Sequence, residues 1–395
     1  MSSTSFLARL LSGIPRGKWA AIRHDRAEVI GHADTADAAQ ALAHDAGDDD
    51  PIVVKVPEAS DSMLSHHVPG ARRPPYALIG RSIANGGVVP FLGAGASQVG
   101  RPPGARFNER TASFLPNTSE LAELLGELAE FPPRELPDSD LARVSSYLVW
   151  RGGGDALNYT LRTSIGPISG DGRRCQPGIL HRFLAREERI RLILTTNYDT
   201  LIEDAFQDAR RDYDLLVYPS PDLAERNSVM QLRWRVNAAE HPVDHVDPQK
   251  LKLNLEQTII FKMHGSYKTP VGDSYIITEE HYLEFLKRMG DQGPVPKKVL
   301  EHLSLKSLWF LGYGLKDWNL RLLLYNLGTL KKSWAVQREA SQAESGLWSA
   351  RNVDIFEESV DDFVENVDRE LRALRPDPPA LPAAETPLGR VERNP

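Results

Sequence analysis

Asn197 and Asp199 stand in Leu194-Thr195-Thr196-Asn197-Tyr198-Asp199-Thr200, directly after the apolar run 190–194. Ligands of open parallel sheets bind beyond the carboxyl ends of the strands. A carboxamide and a carboxylate two residues apart at such an end can hold a ligand carboxamide or a ribose hydroxyl. Asp199 could equally cap the helix that begins at Leu201. His264 follows the apolar run 258–263 and precedes Gly265, so the spacing predicts a histidine exposed above a strand end. Imidazole there can act as a general base or orient a hydroxyl near neutral pH, or it can tie down a loop.

Two glycine turns complete the set. The run 88–92 enters Gly93-Ala94-Gly95-Ala96-Ser97, and the run 308–311 enters Gly312-Tyr313-Gly314. Glycines there permit tight turning and close approach of backbone N–H groups to a pyrophosphate. The first turn lacks the full GxGxxG pattern, and an ordinary strand-to-helix turn has the same composition. The second could add further backbone donors, or be an ordinary turn itself.

Such residues converge only if the four runs are neighbouring strands. Strand-length apolar runs also occur at 334–336 and 353–356, with helical stretches between, for example 119–131 and 360–374. Strands alternating with helices predict an α/β fold, a Rossmann-like parallel sheet with helices on both faces. Residues 208–256 are polar and interrupt this scheme. Within them His241, Asp244, His245 and Asp247 have a spacing that invites a metal, but Pro242 and the carboxylates suit a surface loop, and no metal is assigned. Ahead of the sheet, residues 17–57 read as a small ββαβ accessory unit. A linker follows over 58–75, the main domain spans 76–366, and a Pro-rich tail over 375–395 reads as disordered.

Composition narrows the function classes. Forty-seven Lys and Arg against 54 Asp and Glu leave a net charge of −7, which offers nucleic acid no attractive field. Cys175 is the single cysteine, so an intrachain disulfide and a four-cysteine zinc module are both excluded. No stretch approaches roughly 18 apolar residues, and the start lacks an apolar signal core. A soluble cytoplasmic protein is expected, with no membrane partner.

The order Gly-Ala-Gly-x-Ser, Thr-Thr-Asn-Tyr-Asp, His-Gly, Phe-Leu-Gly-Tyr-Gly-Leu resembles the sirtuin superfamily over roughly residues 80–365. It is most similar to the zinc-free, NAD-hydrolysing branch found in bacterial anti-phage defence effectors. The resemblance implies NAD⁺ as substrate rather than cofactor, with Asn197, Asp199 and His264 catalytic. Gly93, Ala94, Gly95, Ser97 and Thr196 would line the phosphate, ribose and nicotinamide side, and Gly312 and Gly314 the adenosine half. Where sirtuin deacylases carry Gln before the Asn, this chain has Thr196, and their Gly-x-Ser turn is Gly312-Tyr313-Gly314. The implied activity is NAD⁺ glycohydrolysis to nicotinamide and ADP-ribose or a cyclised form. A zinc-free deacylase, an ADP-ribosyltransferase and a non-catalytic NAD- or ADP-ribose-binding assembly module remain as alternatives. Such an enzyme must be restrained in its host. The resemblance therefore implies a homo-oligomer or a separately encoded regulator: a HerA-type ATPase, a short Argonaute or a phage trigger protein.

Overall fold

The computed structural model describes residues 10–11, 13–23, 28–49, 51–56, 73–132, 134, 140–167, 174–220, 229–269, 272–291, 294–315, 317–338 and 340–374. The chain divides into two compact units, Met1–Arg72 and Arg73–Pro395. Residues 58–72 of the expected linker and the whole expected tail lie outside the described residues.

In the first unit the hairpin-and-helix pattern forms β1 (Trp19–Arg23), β2 (Glu28–Ala33), α1 (Ala36–Asp45) and β3 (Ile52–Lys55). β1 is central, antiparallel to both β2 and β3. The Thr35 hydroxyl accepts the Ala38 N–H and starts α1, supplying a partner to an otherwise orphan helix donor. Ala39 and Ala43, one turn apart, are buried against Ala21, so small side chains bring helix and sheet close.

The second unit opens with α2 (Tyr76–Ala84), β4 (Val88–Leu92) and a short 3₁₀ turn over Ala94–Ser97. Helices α3 (Thr118–Ala129), α4 (Leu141–Gly152), α5 (Gly154–Ile165) and α6 (Ile179–Arg186) lead to β5 (Leu192–Thr195) and α7 (Leu201–Asp208). Then come β6 (Tyr213–Val217), β7 (Val229–Trp234), β8 (Val243–Val246), β9 (Thr258–Lys262) and the hairpin β10 (Gly265–Thr269) and β11 (Gly272–Tyr275). Helices α8 (Glu279–Asp291) and α9 (Lys297–Ser304) precede β12 (Ser307–Leu311), α10 (Trp318–Leu327), β13 (Ser333–Gln337), α11 (Gln342–Ser349), β14 (Val353–Glu357) and α12 (Val360–Ala373).

The main sheet has the order β14-β13-β12-β4-β5-β9-β6-β7-β8. Every pairing from β14 to β6 is parallel, and β7 and β8 add antiparallel strands at one edge. All five residues of β4, and of β9, are buried, as strands covered on both faces require. Alternate side chains divide between two cores. Val88, Leu92 and Ile193 pack with α2, α6, α7 and α12, whereas Val89, Phe91 and Leu194 pack with α8 to α11. The parallel α/β sheet and the N-terminal ββαβ unit are thus as the pattern predicts. Residues 208–256 differ: instead of interrupting the sheet they extend it by β6, β7 and β8. Tyr213-Asp214-Leu215-Leu216-Val217 is wholly buried, a short apolar strand hidden within a polar stretch.

Two features of this fold place the site. Register aligns Phe91 with Leu194 and Phe310, and Thr195 with Leu92 and Lys262. The turns after β12, β4, β5 and β9 therefore lie side by side. The strand order also reverses at β4, with β5 on one side and β12 on the other, and such a switch point opens a crevice at the strand ends. Over it, α3, α4 and α5 form a separate small core with Tyr275 and Ile277, and a reciprocal Asn117–Glu120 capping box starts α3.

Candidate active site

Ser97, Asn197 and Asp199 form one hydrogen-bonded group. The Asn197 Nδ2 donates to the Gly93 carbonyl and to Ser97 Oγ, both at 2.8 Å. Ser97 Oγ donates to Asp199 Oδ2 at 2.5 Å, and Asp199 Oδ1 accepts the Leu201 N–H at 3.0 Å. Thr200 is the N-cap of α7; Asp199, one residue ahead of it, bonds the first helical N–H and is also a member of the polar cluster. Thr195 sets the turn, its Oγ1 accepting the Asn197 N–H at 3.0 Å and donating to the Leu92 carbonyl at 3.2 Å.

The glycine turns owe their composition to each other. Gly95 donates its N–H to the Gly312 carbonyl at 2.8 Å, Gly93 to Leu311 at 3.0 Å, and Gly312 to Val336 at 3.0 Å. A Cβ on Gly93 would lie 2.7 Å from the Gly312 carbonyl oxygen, and one on Gly312 would lie 2.3 Å from the Ala96 nitrogen. Gly312 also has φ +63°, a left-handed conformation that favours glycine. These three N–H groups are spent within the protein, which corrects the expectation that they point at a ligand. A Cβ on Gly314 would meet nothing within 4 Å.

A cavity of about 180 Å³ lies over the strand ends. Ala94, Ser97, Thr196, Asn197, Asp199 and His264 all line it. Gly93, Gly95, Gly312 and Gly314 do not, although Gly93 holds Asn197 through its carbonyl. His264 is not exposed as its strand-end position predicts: it is only 2% exposed, its ring edge-on to Tyr282 and Phe285. Burial lowers its pKa from the ordinary value, and the negative charge of Asp317 partly opposes that. Asp317 lines the same cavity and accepts the Tyr313 hydroxyl at 2.9 Å.

The family model described as the SIR2-like domain matches residues 191–356, from the start of β5 to the end of β14. That span holds the Asn197–Asp199 turn, His264 and the Gly312 turn. Over these residues the chain is similar to the SIR2-like domain. One similar solved structure, described as "Structural Basis for the Mechanism and Regulation of Sir2 Enzymes", is 13% identical with a TM-score of 0.36, covering 76% of this chain and 98% of the other. Another, the crystal structure of a Sir2 homolog–NAD complex, is 14% identical with a TM-score of 0.33, covering 79% and 100%. No curated protein matches the chain in sequence.

Several residues that shape the site carry no signal of that role in the sequence. Lys262 is fully buried and its Nζ donates to Glu203 Oε1 at 2.8 Å and to the backbone carbonyl of Asp199. An ammonium thus pins the Asn197–Asp199 turn from beneath. Burial pushes the Glu203 carboxyl up while Lys262 pulls it back. Asp317 lies six residues beyond the end of β12 (Leu311), so only tertiary packing shows that it faces His264's cavity. Behind Asp199, burial lowers the His181 pKa to about 4 and raises the Cys175 thiol to about 12. Cys175 is therefore a thiol, not a thiolate, at neutral pH.

The His241–Asp247 segment forms no metal cluster. His241 stacks on Trp234 at 5.5 Å, and β8 pairs with β7. Among the described residues no group of three or more His, Cys, Asp or Glu is placed to hold a metal ion. Likewise, no described helix is long and apolar enough to cross a membrane.

Proposed function

We propose that this chain binds NAD⁺ and cleaves its nicotinamide–ribose bond, releasing nicotinamide and ADP-ribose or a cyclised form. The observation that carries the reading is the convergence of Ser97, Asn197, Asp199 and His264, from three strand ends, on one cavity. The cavity, at about 180 Å³, is smaller than the roughly 300–1,000 Å³ of a typical ligand site. It therefore suits the reacting nicotinamide riboside end, with the rest of the dinucleotide lying outside it.

In the reaction the C1′–N bond breaks and its electron pair leaves with nicotinamide, which departs neutral from a pyridinium. The ribose becomes oxocarbenium-like; water adds at C1′ and loses a proton to give ADP-ribose, or an adenine ring nitrogen adds at C1′ in place of water to give the cyclised form. Asp199 holds the carboxamide or bears on the developing positive charge. Asn197, fixed by Gly93 and Ser97, orients the carboxamide or the attacking water. His264, kept neutral by burial, orients a ribose hydroxyl or accepts the water proton.

Control by a homo-oligomer or a separately encoded regulator, and a part in anti-phage defence by NAD⁺ depletion in the cytoplasm, belong to the same proposal. Their support is the sirtuin-type motif order. The test is NAD⁺ loss and nicotinamide release by the purified protein, beside Asn197→Ala and His264→Ala. Both variants should lose activity by about 10²-fold or more. Release within threefold of wild type in Asn197→Ala would overturn the assigned roles, and a protein that neither binds nor consumes NAD⁺ would overturn the reading.

A further inference from the structure

Two carboxylates, Asp199 and Asp317, line the cavity over the strand ends, one from each side of β4. Asp199 is bonded to Ser97, and its charge bears on His181 and Cys175 behind it. Asp317 has no role in the steps assigned to Asn197, Asp199 and His264. It is nevertheless held in place. Its Oδ2 accepts the Tyr313 hydroxyl at 2.9 Å, and its carbonyl accepts the Arg321 N–H at 3.0 Å where α10 begins. Tyr313 is itself fixed edge-on to Phe91 at 5.7 Å. An aspartate ahead of a helix can serve as a cap alone, but a cap needs neither the bond to Tyr313 nor a place in the wall of this cavity.

His264, 2% exposed between Tyr282 and Phe285, stands in surroundings that disfavour a cation. A ring that only orients a ribose hydroxyl stays neutral there and needs no counter-charge. A ring that takes the proton of water becomes an imidazolium and does need one. The titratable groups sharing its cavity are Tyr198 and Asp199 from the turn after β5, Tyr282 from α8, and Asp317 from the loop after β12. Helices α3, α4 and α5 contribute Thr118, Leu121, Leu141 and Ile165, none of them charged. Burial pushes the phenols of Tyr198, Tyr282 and Tyr313 up, so they remain neutral. Lys262, two residues before the histidine, is paired with Glu203 beneath the turn. The charge that favours a protonated ring is that of Asp317.

We infer that Asp317 is the counter-charge of His264, a positioning residue that lets the buried imidazole accept the proton of the attacking water. As the water oxygen bonds to C1′, its O–H bond breaks and the proton passes to a ring nitrogen. The carboxylate balances the imidazolium until that proton leaves to solvent. This role rests on the hydrolytic form of the reaction proposed above, and it makes His264 the base rather than a holder of a ribose hydroxyl.

Asp317→Asn tests it, keeping the shape and an acceptor for Tyr313 while removing the charge. The titration of the His264 ring is followed by NMR without NAD⁺, its resonance identified by its loss in His264→Gln. A carboxylate raises the pKa of a neighbouring imidazole, so removing it should lower the midpoint by about 0.5 unit or more. The acid limb of the kcat profile should move to lower pH with it. Plateau kcat should fall about tenfold or more, with a much smaller change in KM, and Asp317→Glu should recover part of the loss. Tyr313→Phe, which removes only the hydroxyl that holds the carboxylate, should move both readouts in the same direction and serves if Asp317→Asn does not fold. A midpoint unmoved in the folded variant, or a kcat within about twofold of wild type where general-base loss predicts far more, would overturn the inference. So would a wild-type ring that takes up no proton above about pH 4.5. Absence of NAD⁺ loss by the wild type would instead overturn the reaction, and the titration would still report whether Asp317 and His264 are paired.

Discussion

Lys262→Met tests how the catalytic turn is held. The ammonium is fully buried, paired with Glu203 at 2.8 Å and bonded to the Asp199 carbonyl. Removing it leaves a buried carboxyl without its counter-charge and a carbonyl without its donor. Breaking one side of a buried pair costs about 3–5 kcal/mol, which at roughly 2–4 °C per kcal/mol lowers Tm by about 6–20 °C. Replacing both partners by apolar residues of similar volume is often neutral. Lys262→Met with Glu203→Leu should therefore recover most of the lost Tm. It should not recover NAD⁺ turnover, because the Asp199 carbonyl still lacks its anchor. Thermal unfolding by circular dichroism and nicotinamide release would be measured on the wild type, both single variants and the double. A Tm within 2 °C of wild type in Lys262→Met, or a double variant no more stable than that single, would refute the reasoning.

Ser97→Ala deletes the hydroxyl that joins Asn197 to Asp199. Hydrogen bonds to charged groups are worth about 1.5–3 kcal/mol of stability, so Tm should fall by about 3–12 °C, and kcat/KM for NAD⁺ should fall about 10-fold or more as Asn197 and Asp199 lose their alignment. An unchanged kcat/KM would remove Ser97 from the site. Gly312→Ala should lower Tm markedly, since its Cβ would lie 2.3 Å from the Ala96 nitrogen at φ +63°, whereas Gly314→Ala meets open space and should be tolerated; equal Tm losses would contradict the packing of the two turns. His181 should contribute to acid lability. Its folded pKa of about 4 lies below the ordinary 6.5, so the unfolded chain binds the extra proton. Its stabilisation is complete above about pH 6.5 and falls by about 3 kcal/mol as pH drops to about 4. A His181→Gln variant should show a flatter Tm profile over that window, and an identical profile would dismiss the histidine as its cause.

Much of this architecture was legible in the residues. The parallel strands are short runs apolar on both faces, bounded by glycine or polar turns, and that pattern carries the sheet whatever its order. The motif residues Ser97, Asn197, Asp199 and His264 could be singled out because strand ends are where an open sheet presents side chains. Residues 213–217 were not legible as a strand, because five buried residues vanish in a polar stretch of about fifty. The burial of His264 was also hidden, since it depends on Tyr282 and Phe285 from α8.

Residue types and local periodicity thus determine which elements form and which side chains stand at their ends, because those are matters of backbone conformation and burial within a few residues. Tertiary structure alone decides that β12 lies beside β4, so that Gly93 and Gly312 touch and spend their N–H groups inside the protein. It alone brings Lys262 beneath the Asp199 turn and Asp317 into the cavity of His264. Contacts between distant segments follow from strand order and from the desolvation of buried charges, and neither is written in any short stretch of sequence.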